Sequence, residues 1–446
     1  MVIGSFQFRR AYNSSPLSLL DSAPVEGSIG DFWRHNFQRY VVPTTSDPVT
    51  AVTVIRNNGR EFGFYRVSGL WVSDEDVLEK LEELIDGQGV TTGWRYIGLD
   101  NTTELYDANG VLQSITNLQG NTQTLSYDAS NRLARIDSNI GGSLVFAYDS
   151  NNRITSVTDH FGRVWDYRYG ANSNLEFVDN PDSTAKRYHY EDTNAPNALT
   201  GITDERGIRY ATYGYDSSGR AILSTHAGDA QRVDIVYSDT DGTRTVTNSL
   251  GRPSTYTTAI QLGVALVTDI SGPGCSTCGN GDTNYNYDPT NNNLLRKTEN
   301  GFTTEYGNYD NKGQYGYRIE AQGTPEVRRT DYTYDSRFFN KITTLTEPSV
   351  FPGNSKVTTN TYDAFGNRLS ETINGFDSTG TPVSRTTTRQ YTGPLNQLSF
   401  IDGLRIDVND FTYYRYYPND TSQPIGTRVC LKEIEDANSV LIRSNI

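Results

Sequence analysis

The sequence predicts a mainly β protein in which β-hairpin repeats form one long antiparallel ribbon, with one short helix near residues 74–86. Three observations predict this fold class: a strand-rich composition, a tyrosine-led phrase that recurs along the chain, and two turn signals in each copy. The chain has 30 tyrosines and 17 phenylalanines but a single methionine. Tyr, Thr, Val and Ile suit strands, whereas abundant Asn, Asp and Gly suit turns.

Composition and charge exclude several classes of protein. The 446 residues are 35% hydrophobic and carry a formal net charge of −14, which repels phosphate backbones and makes nucleic acid an improbable partner. No apolar run approaches the roughly 18 residues that a membrane-spanning helix needs. The opening stretch MVIGSFQFRR lacks the apolar core of a signal peptide. Three cysteines in so long a chain exclude a disulfide scaffold.

Residues 1–100 are predicted to form a β-rich segment that precedes the repeats. FRRAYNS at 8–14 and FWRHNFQRYVV at 32–42 are typical of strands with aromatic anchors. Residues 50–67 predict a hairpin around Asn57-Asn58-Gly59, because Asn and Gly tolerate the backbone of a tight turn.

A helix is predicted at about 74–86. Ser73 and Asp74 supply a candidate cap, acidic residues crowd the first turn, and Gly87 provides the stop. The apolar residues that would share one helical face are Val77, Leu78, Leu81, Leu84 and Ile85.

The repeat array is predicted to span residues 101–446. Tyr106, Tyr127, Tyr148, Tyr169 and Tyr190 fall at a constant interval of 21 residues. The rhythm is interrupted at about 250–284, and the later copies are spaced more widely. Further copies begin at Tyr215, Tyr237, Tyr287, Tyr309, Tyr334, Tyr362 and Tyr391.

Each copy predicts one hairpin. A strand ends in Tyr-Asp, a polar turn follows, and a second turn comes about ten residues later, so two strands share one repeat. An Asp at the first turn position accepts backbone N–H bonds, and Gly or Asn three residues on tolerates positive φ. Leu133 and Ile136 are three residues apart, which places them on opposite faces of a regular strand, so either a bulge intervenes or both faces are partly buried. The turn residues concerned are Asp107 with Gly110, Asp128, Asp149, Asp216 with Gly219, Asp288, Asp335, and Asp363 with Gly366.

The phrases YDANGVLQSIT, YDASNRLARID and YDSNNRITSVT resemble the YD repeats of the RHS (rearrangement hot spot) family, which includes teneurin shells and toxin-complex C components. The resemblance covers about Tyr106 to the C-terminus. It implies a β-sheet ribbon that spirals into a hollow shell around a C-terminal toxin segment, in a secreted or cell-surface bacterial protein. The implied partners are the remainder of a larger RHS polypeptide or its toxin cargo.

The chain departs from this family in one respect. Many members end in an Asp-Pro-x-Gly-rich segment where self-cleavage occurs, whereas Gln423-Pro424-Ile425-Gly426 lacks the aspartate and the glycine-rich continuation. Self-cleavage and toxicity are therefore not carried over, and the array is expected to be truncated at its C-terminus. About twelve hairpins at roughly 4.8 Å per strand roll into a tube about 37 Å across, so a partial shell is expected.

Cys275 and Cys278 are the candidate chemical pair, in the glycine-rich segment GPGCSTCGNG. A local disulfide or a thiol pair that pins the loop is favoured over a metal or redox site, because no second ligand pair and no following helix are evident. Cys430 is expected to be a buried strand residue. Asp107-Ala108-Asn109-Gly110 lacks the continuation of a calcium loop, so turn capping is favoured. No catalytic, cofactor or metal residues are predicted.

The predicted function is that of a non-catalytic shell segment that houses or carries a toxin in a bacterial secretion or contact-dependent competition system. The alternative is a cell-surface adhesion module that binds glycans, because flat aromatic rings can stack on sugars. The recurrence of the tyrosines in every repeat favours a scaffold role for them. A non-functional displaced fragment is the third alternative.

Overall fold

A computed structural model describes residues 2–3, 6–13, 28–44, 49–74, 77–170, 172–274, 281–393, 396–405, 410–416, 429–435 and 441–444. Almost all regular structure is antiparallel β, with one short 3₁₀ turn at Ala227–Asp229. In the described part of the chain, no helix is long and apolar enough to cross a membrane.

The N-terminal strands form small separate sheets. β1 pairs with β2, β3 pairs with β4, and β5 to β8 form a four-stranded sheet. The expected hairpin is confirmed, because β6 and β7 pair around a turn in which Gly59 has a φ of 83°. These strands are β1 Val2–Ile3, β2 Phe6–Gln7, β3 Arg10–Tyr12, β4 Trp33–His35, β5 Tyr40–Pro43, β6 Ala51–Ile55, β7 Glu61–Val67 and β8 Leu70–Ser73.

The rest of the chain is one continuous antiparallel sheet in sequence order, which confirms the predicted ribbon. Each strand pairs with the next from β9 to β39, and in the described residues no ladder joins β39 back to β9. The first half of the sheet comprises β9 Lys80–Ile85, β10 Thr91–Ile97, β11 Thr103–Asp107, β12 Leu112–Thr116, β13 Thr122–Tyr127, β14 Leu133–Ser138, β15 Ser143–Tyr148, β16 Ile154–Asp159, β17 Val164–Tyr169, β18 Leu175–Asp179, β19 Ala185–His189, β20 Gly201–Thr203, β21 Arg209–Tyr215, β22 Ala221–His226 and β23 Ala230–Ser238.

The second half carries the sheet through the stretch where the sequence rhythm breaks. Strands β24 to β27 pair in order across residues 243–287. The strands are β24 Thr243–Thr247, β25 Pro253–Gln261, β26 Val264–Ser271, β27 Thr283–Tyr287, β28 Leu294–Glu299, β29 Phe302–Gly307, β30 Tyr317–Glu320, β31 Arg328–Tyr334, β32 Ile342–Pro348, β33 Ser355–Tyr362, β34 Arg368–Phe376, β35 Pro382–Thr392, β36 Gln397–Asp402, β37 Phe411–Tyr416, β38 Val429–Glu435 and β39 Leu441–Ser444.

The helix predicted at about 74–86 is wrong. Residues 80–85 form strand β9, which pairs with β10 so that Leu81 lies opposite Tyr96. The turn between the two strands is closed by Asp86, whose carboxylate accepts the N–H groups of Gln88 and Val90. Pairing with a β-branched and aromatic partner strand outweighs the local helix preference of Lys-Leu-Glu-Glu-Leu, since tertiary context overrides propensity.

A bulge follows the repeat tyrosine and explains the three-residue apolar spacing. Tyr127 lies opposite Leu133, but Ser126 lies opposite Arg135, so Ala134 is the extra residue. Leu133 and Ile136 therefore point to the same face, and both are buried. The same shift occurs at Tyr106, Tyr148, Tyr169, Tyr215, Tyr287, Tyr334, Tyr362, Tyr391 and Tyr416.

Candidate functional site: the tyrosine face of the sheet

The face of the sheet that carries the repeat tyrosines, here called the tyrosine face, is the candidate functional surface. From Tyr127 onward, the repeat phenols donate hydrogen bonds to backbone carbonyls of the preceding repeat, at 2.5 to 3.2 Å, whereas Tyr106 in the first repeat donates to the Glu104 carboxylate. In most copies that carbonyl belongs to the residue opposite the preceding repeat's tyrosine, so every repeat is tied to its neighbour. The bonds run from Tyr127 to Leu112, Tyr148 to Leu133, Tyr169 to Ile154, Tyr190 to Leu175, Tyr215 to Leu199, Tyr237 to Ala221, Tyr287 to Val267, Tyr309 to Leu294, Tyr334 to Tyr315, Tyr362 to Ile342, Tyr391 to Arg368 and Tyr416 to Leu398.

The turn aspartates act on the backbone. Asp149 Oδ1 accepts the N–H groups of Asn151 and Arg153 at 2.8 and 2.9 Å, and Oδ2 accepts the Arg153 Nε–H at 2.9 Å. The Arg153 guanidinium also lies 4.5 Å from the ring centre of Tyr169 in the next repeat. One arginine thus joins a turn to the following tyrosine. The same pattern links Asp128, Arg132 and Tyr148, and links Asp216, Arg220 and Tyr237.

The pKa values of the turn carboxyls and of the repeat phenols are shifted in opposite directions. The backbone N–H of Arg132 holds the pKa of the Asp128 carboxyl below its ordinary value, with further help from the Arg132 side chain, although desolvation opposes the shift. Burial raises the pKa of Tyr148 and Tyr169 well above the usual range, and it raises the pKa of Tyr334 to about 12. The repeat phenols therefore stay neutral and remain hydrogen-bond donors at physiological pH.

The described part of the N-terminal segment, residues 8–13 and 28–41, covers the tyrosine face of the first repeats. The ring of Phe8 lies 5.6 Å from that of Phe146, and the ring of Trp33 lies 4.6 Å from that of Tyr188. These side chains belong to one buried cluster, which extends along the repeats from Tyr106 to Leu199. In these first repeats the tyrosine face is therefore the inner, covered face of the sheet.

Backbone contacts fix this segment along the edge that carries the Tyr-Asp turns. The Val41 N–H donates to the carbonyl of Gly110, and the Ile154 N–H donates to the carbonyl of Ser28. Gly110 is required here, since a Cβ at this position would lie 1.6 Å from the Val41 carbonyl oxygen. The N-terminal segment therefore caps the start of the ribbon.

A buried ion cluster anchors the segment. Glu104 accepts hydrogen bonds from Arg56 at 2.7 Å, and from Arg39 and Tyr106. Burial disfavours the charged form of Glu104, but the hydrogen bonds from Arg56 and the charges of both arginines keep the pKa of its carboxyl below the ordinary value. Sequence reasoning missed this cluster, because Arg39 and Arg56 stand far from Glu104 in the chain.

The ribbon wraps so that its second turn lies on its first. The Phe339 N–H donates to Asn101 Oδ1 at 3.0 Å, and Asn101 Nδ2 donates to the Phe339 carbonyl at 3.3 Å. Asn396 Nδ2 likewise donates to the Gln119 carbonyl at 3.2 Å. In each case a β-turn that follows a repeat tyrosine in the second turn of the ribbon contacts a β-turn on the opposite edge of the first turn of the ribbon. Roughly twenty strands separate the stacked hairpins, and neighbouring strands are about 4.8 Å apart. One full turn of the ribbon therefore has a circumference of about 100 Å and a diameter of about 32 Å.

The inner face changes character along the ribbon. In the described residues, the buried hydrophobic side chains all lie at or before Ala211, with the sole exception of Phe338. Beyond that point the most buried positions are polar instead. They are Thr225, Thr283, Thr330, Thr358, Asn360 and Thr387 on the strands, with Gln314 and Asn367 in the turns after Tyr309 and Tyr362. The apolar part faces the N-terminal segment, whereas the polar part begins late in the first turn of the ribbon and continues through the second.

The remaining candidates are distributed as follows. Residues 275–280, which include Cys275 and Cys278, lie outside the described residues, as does the side chain of Cys430. His35 is buried in the N-terminal cluster, where desolvation lowers its pKa to about 3. Among the described residues, no group of three His, Cys, Asp or Glu side chains is placed to hold a metal ion.

Comparison with known proteins gives one family match. Residues 148–185 match the model described as RHS Repeat, and this range holds the Tyr-Asp turn, the bulge and the phenol bond that recur along the sheet. No curated protein sequence matches the chain.

Among solved structures, the chain is similar to the crystal structures of TcdB2-TccC3-Cdc42 and TcdB2-TccC3, with 13% identity and TM-scores of 0.46 and 0.45. Each match covers 92% of this chain and 22% of the other, so the chain spans about a fifth of their length. The Photorhabdus luminescens Tc holotoxin pore matches at 11% identity with a TM-score of 0.33, over 93% of this chain and 31% of that one.

Proposed function

We propose that this chain, which is an RHS-repeat protein, is a non-catalytic wall segment of a hollow shell that houses a polypeptide, in a bacterial toxin-carrying system. The wall is a single sheet in which every repeat is tied to the next by a phenol and by a strand ladder. Such a wall acts by containment.

One observation carries this proposal, namely the change of the inner face at about Ala211. The first repeats bury Leu, Ile, Val and Phe side chains under the N-terminal segment. The later repeats instead carry mainly Thr, Asn, Tyr and charged side chains on this face, where Ile373 and Val383 are only partly buried. A face that packed permanently on another part of the protein would be apolar, because burying polar groups without partners is costly. A polar, wrapped interior suits a water-filled space or a guest that comes and goes.

The turn carboxylates support a structural role. Each of Asp128, Asp149, Asp216 and Asp363 accepts two backbone N–H bonds within its own turn. A carboxylate used in this way stabilises the loop and is not available as a general acid or base.

The test is protection of an attached polypeptide. A flexible forty-residue segment with one protease site is fused after Ile446, and its cleavage rate is compared with that of the same segment fused to a compact globular carrier. Housing predicts cleavage several-fold slower on the shell. A variant with Asn101→Ala and Asn396→Ala, which loosens the stacked turns, should restore part of the rate.

Equal cleavage rates on both carriers would contradict housing. Binding to a glycan array by the purified chain, together with an unprotected segment, would instead support the adhesion alternative. A chain that neither protects nor binds would favour the displaced fragment.

A further inference from the structure

We propose that a cavity on the tyrosine face of the second turn, lined by Arg328, Lys356 and Arg385, binds an acidic polypeptide segment. The inference rests on the proposed housing role, which makes the bound molecule a polypeptide. It adds the chemistry by which the wall would bind that polypeptide.

From β28 to β35, a stretch that runs into the second turn of the ribbon, the tyrosine face is positively charged, although the whole chain carries a net charge of −14. Cross-strand pairing from the repeat tyrosines identifies which charged side chains of β28 to β35 share the tyrosine face. Seven are cationic and four are acidic. The cations are Lys297, Arg318, Arg328, Lys356, Arg368, Arg385 and Arg389, and the acids are Glu299, Glu320, Glu347 and Glu371.

The four acids are already shared among the cations. Glu347 pairs with both Arg328 and Lys356, at 2.7 Å in each case. Glu371 pairs with Arg368 and lies 3.9 Å from Arg389. Among the described residues, Arg385 has no carboxylate partner, and the Arg389 Nη1 atom is buried without a hydrogen-bond acceptor. The tyrosine face therefore has cationic groups that could bind additional carboxylates.

Three of these cations meet at one cavity. Its volume is about 690 Å³, and its lining includes Arg328, Lys356 and Arg385 beside the apolar side chains of Ile373 and Val383. Gly375 separates Lys356 from Val383 in adjacent strands, so the floor of the cavity lacks a side chain there. Asp377 also lines the cavity, but its carboxylate accepts N–H groups from Thr379 and Thr381.

This combination fits a polypeptide in which acidic and apolar side chains lie close together. The cations can donate charge-assisted hydrogen bonds to carboxylates, and a neighbouring aliphatic side chain can pack on the apolar wall. Val350 and Leu404 extend the apolar wall and are exposed, at 78% and 38%. A purely polar anion would leave that surface in water.

The test uses the full chain and a fluorescently labelled eight-residue peptide of alternating Glu and Leu, followed by anisotropy. We expect saturable binding that weakens with salt, and about tenfold weaker binding of the matched peptide with Gln in place of Glu. Arg385→Gln should weaken binding of the Glu peptide by about tenfold. It should leave the thermal midpoint unchanged, since Arg385 has no ion pair to lose among the described residues.

The matched control is Arg329→Gln. Arg329 is in β31, one residue from Arg328 on the opposite face, and its loss removes the same charge. Binding should stay within about twofold of the unmodified chain, because that guanidinium is outside the cavity and largely screened. An equal loss in both variants, or tighter binding of the Gln peptide, would overturn the proposal.

Failure of this inference is distinguishable from failure of the proposed function. A fused segment that is protected from protease while the Glu peptide does not bind would overturn the acidic cavity alone. An unprotected segment would contradict housing whatever the peptide does.

Discussion

At the scale of single residues, three side chains determine how one repeat meets the next. The turn aspartate closes its own loop, the arginine four residues on pairs with that aspartate, and the same arginine covers the next tyrosine. That tyrosine in turn donates to a carbonyl of the preceding repeat. Asp149, Arg153 and Tyr169 therefore act as one unit, and losing any of them should loosen two repeats.

Asp149→Ala should destabilise the sheet by about 1 to 3 kcal/mol, because two backbone N–H groups lose their acceptor and Arg153 loses its partner. Asp149→Asn should cost less, since the amide oxygen can still accept both N–H groups. Chemical denaturation measures the loss, and hydrogen exchange across residues 148–154 should locate it. Asp137→Ala is the control, because Arg135 is the only charged partner of the half-exposed Asp137 in the described part of the chain. An effect of Asp137→Ala as large as that of Asp149→Ala would contradict the turn assignment.

The repeat phenols predict a loss of stability at alkaline pH. Burial raises the pKa of Tyr127, Tyr148 and Tyr169 above that of an unfolded tyrosine, which is about 10. The unfolded chain then releases these protons first, so the stabilisation is complete below about pH 10 and is lost as the pH rises above it. The thermal midpoint should fall above about pH 10, and tyrosinate absorbance should lag behind that of free tyrosine. The prediction would be contradicted if most tyrosines titrated near pH 10 while the protein remained folded.

At the scale of the strand and hairpin, sequence patterns predict most of the structure where they are local. The Tyr-Asp phrase specified a strand end and a turn, and the 50–67 hairpin was evident from Asn57-Asn58-Gly59. The bulge after each tyrosine could be stated only as one of two alternatives, because spacing alone does not show which residue leaves the ladder. The prediction of a helix at 74–86 was wrong because β9 forms its backbone hydrogen bonds with β10. Local helix propensity takes no account of such a partner strand.

The bulge predicts an unusual tolerance to deletion. Removing Ala134 would leave Leu133 and Ile136 in a regular strand, two residues apart and on the same face, so the fold should survive with a lowered thermal midpoint. Removing Val145, which lies opposite Arg135 in the regular ladder between β15 and β14, would turn Phe146 away from the core and should cost several kcal/mol. Circular dichroism melts compare the two. Equal damage from both deletions would refute the role of the bulge.

At the scale of the whole molecule, the sequence predicted a curved ribbon but not how it curves. The contact of Asn101 with Phe339 joins positions 238 residues apart, and no motif announces it. The cover provided by residues 8–13 and 28–41 could likewise not be predicted, since its aromatic residues have the pattern of ordinary strands. The replacement of Leu and Ile by Thr and Asn along the chain can be read from the sequence. It can be assigned to one face of the sheet only when the strand pairing is known.

The most direct test of the continuous wrapped wall is a distance between its stacked turns. Spin labels at Asp100→Cys and Ser336→Cys, with the native cysteines replaced by Ser, flank the contact between Asn101 and Phe339. The wrapped wall predicts a narrow distribution at about 10 Å plus the label arms, whereas a flat ribbon would separate these turns by about 100 Å. A broad or long distribution in the folded chain would contradict the account.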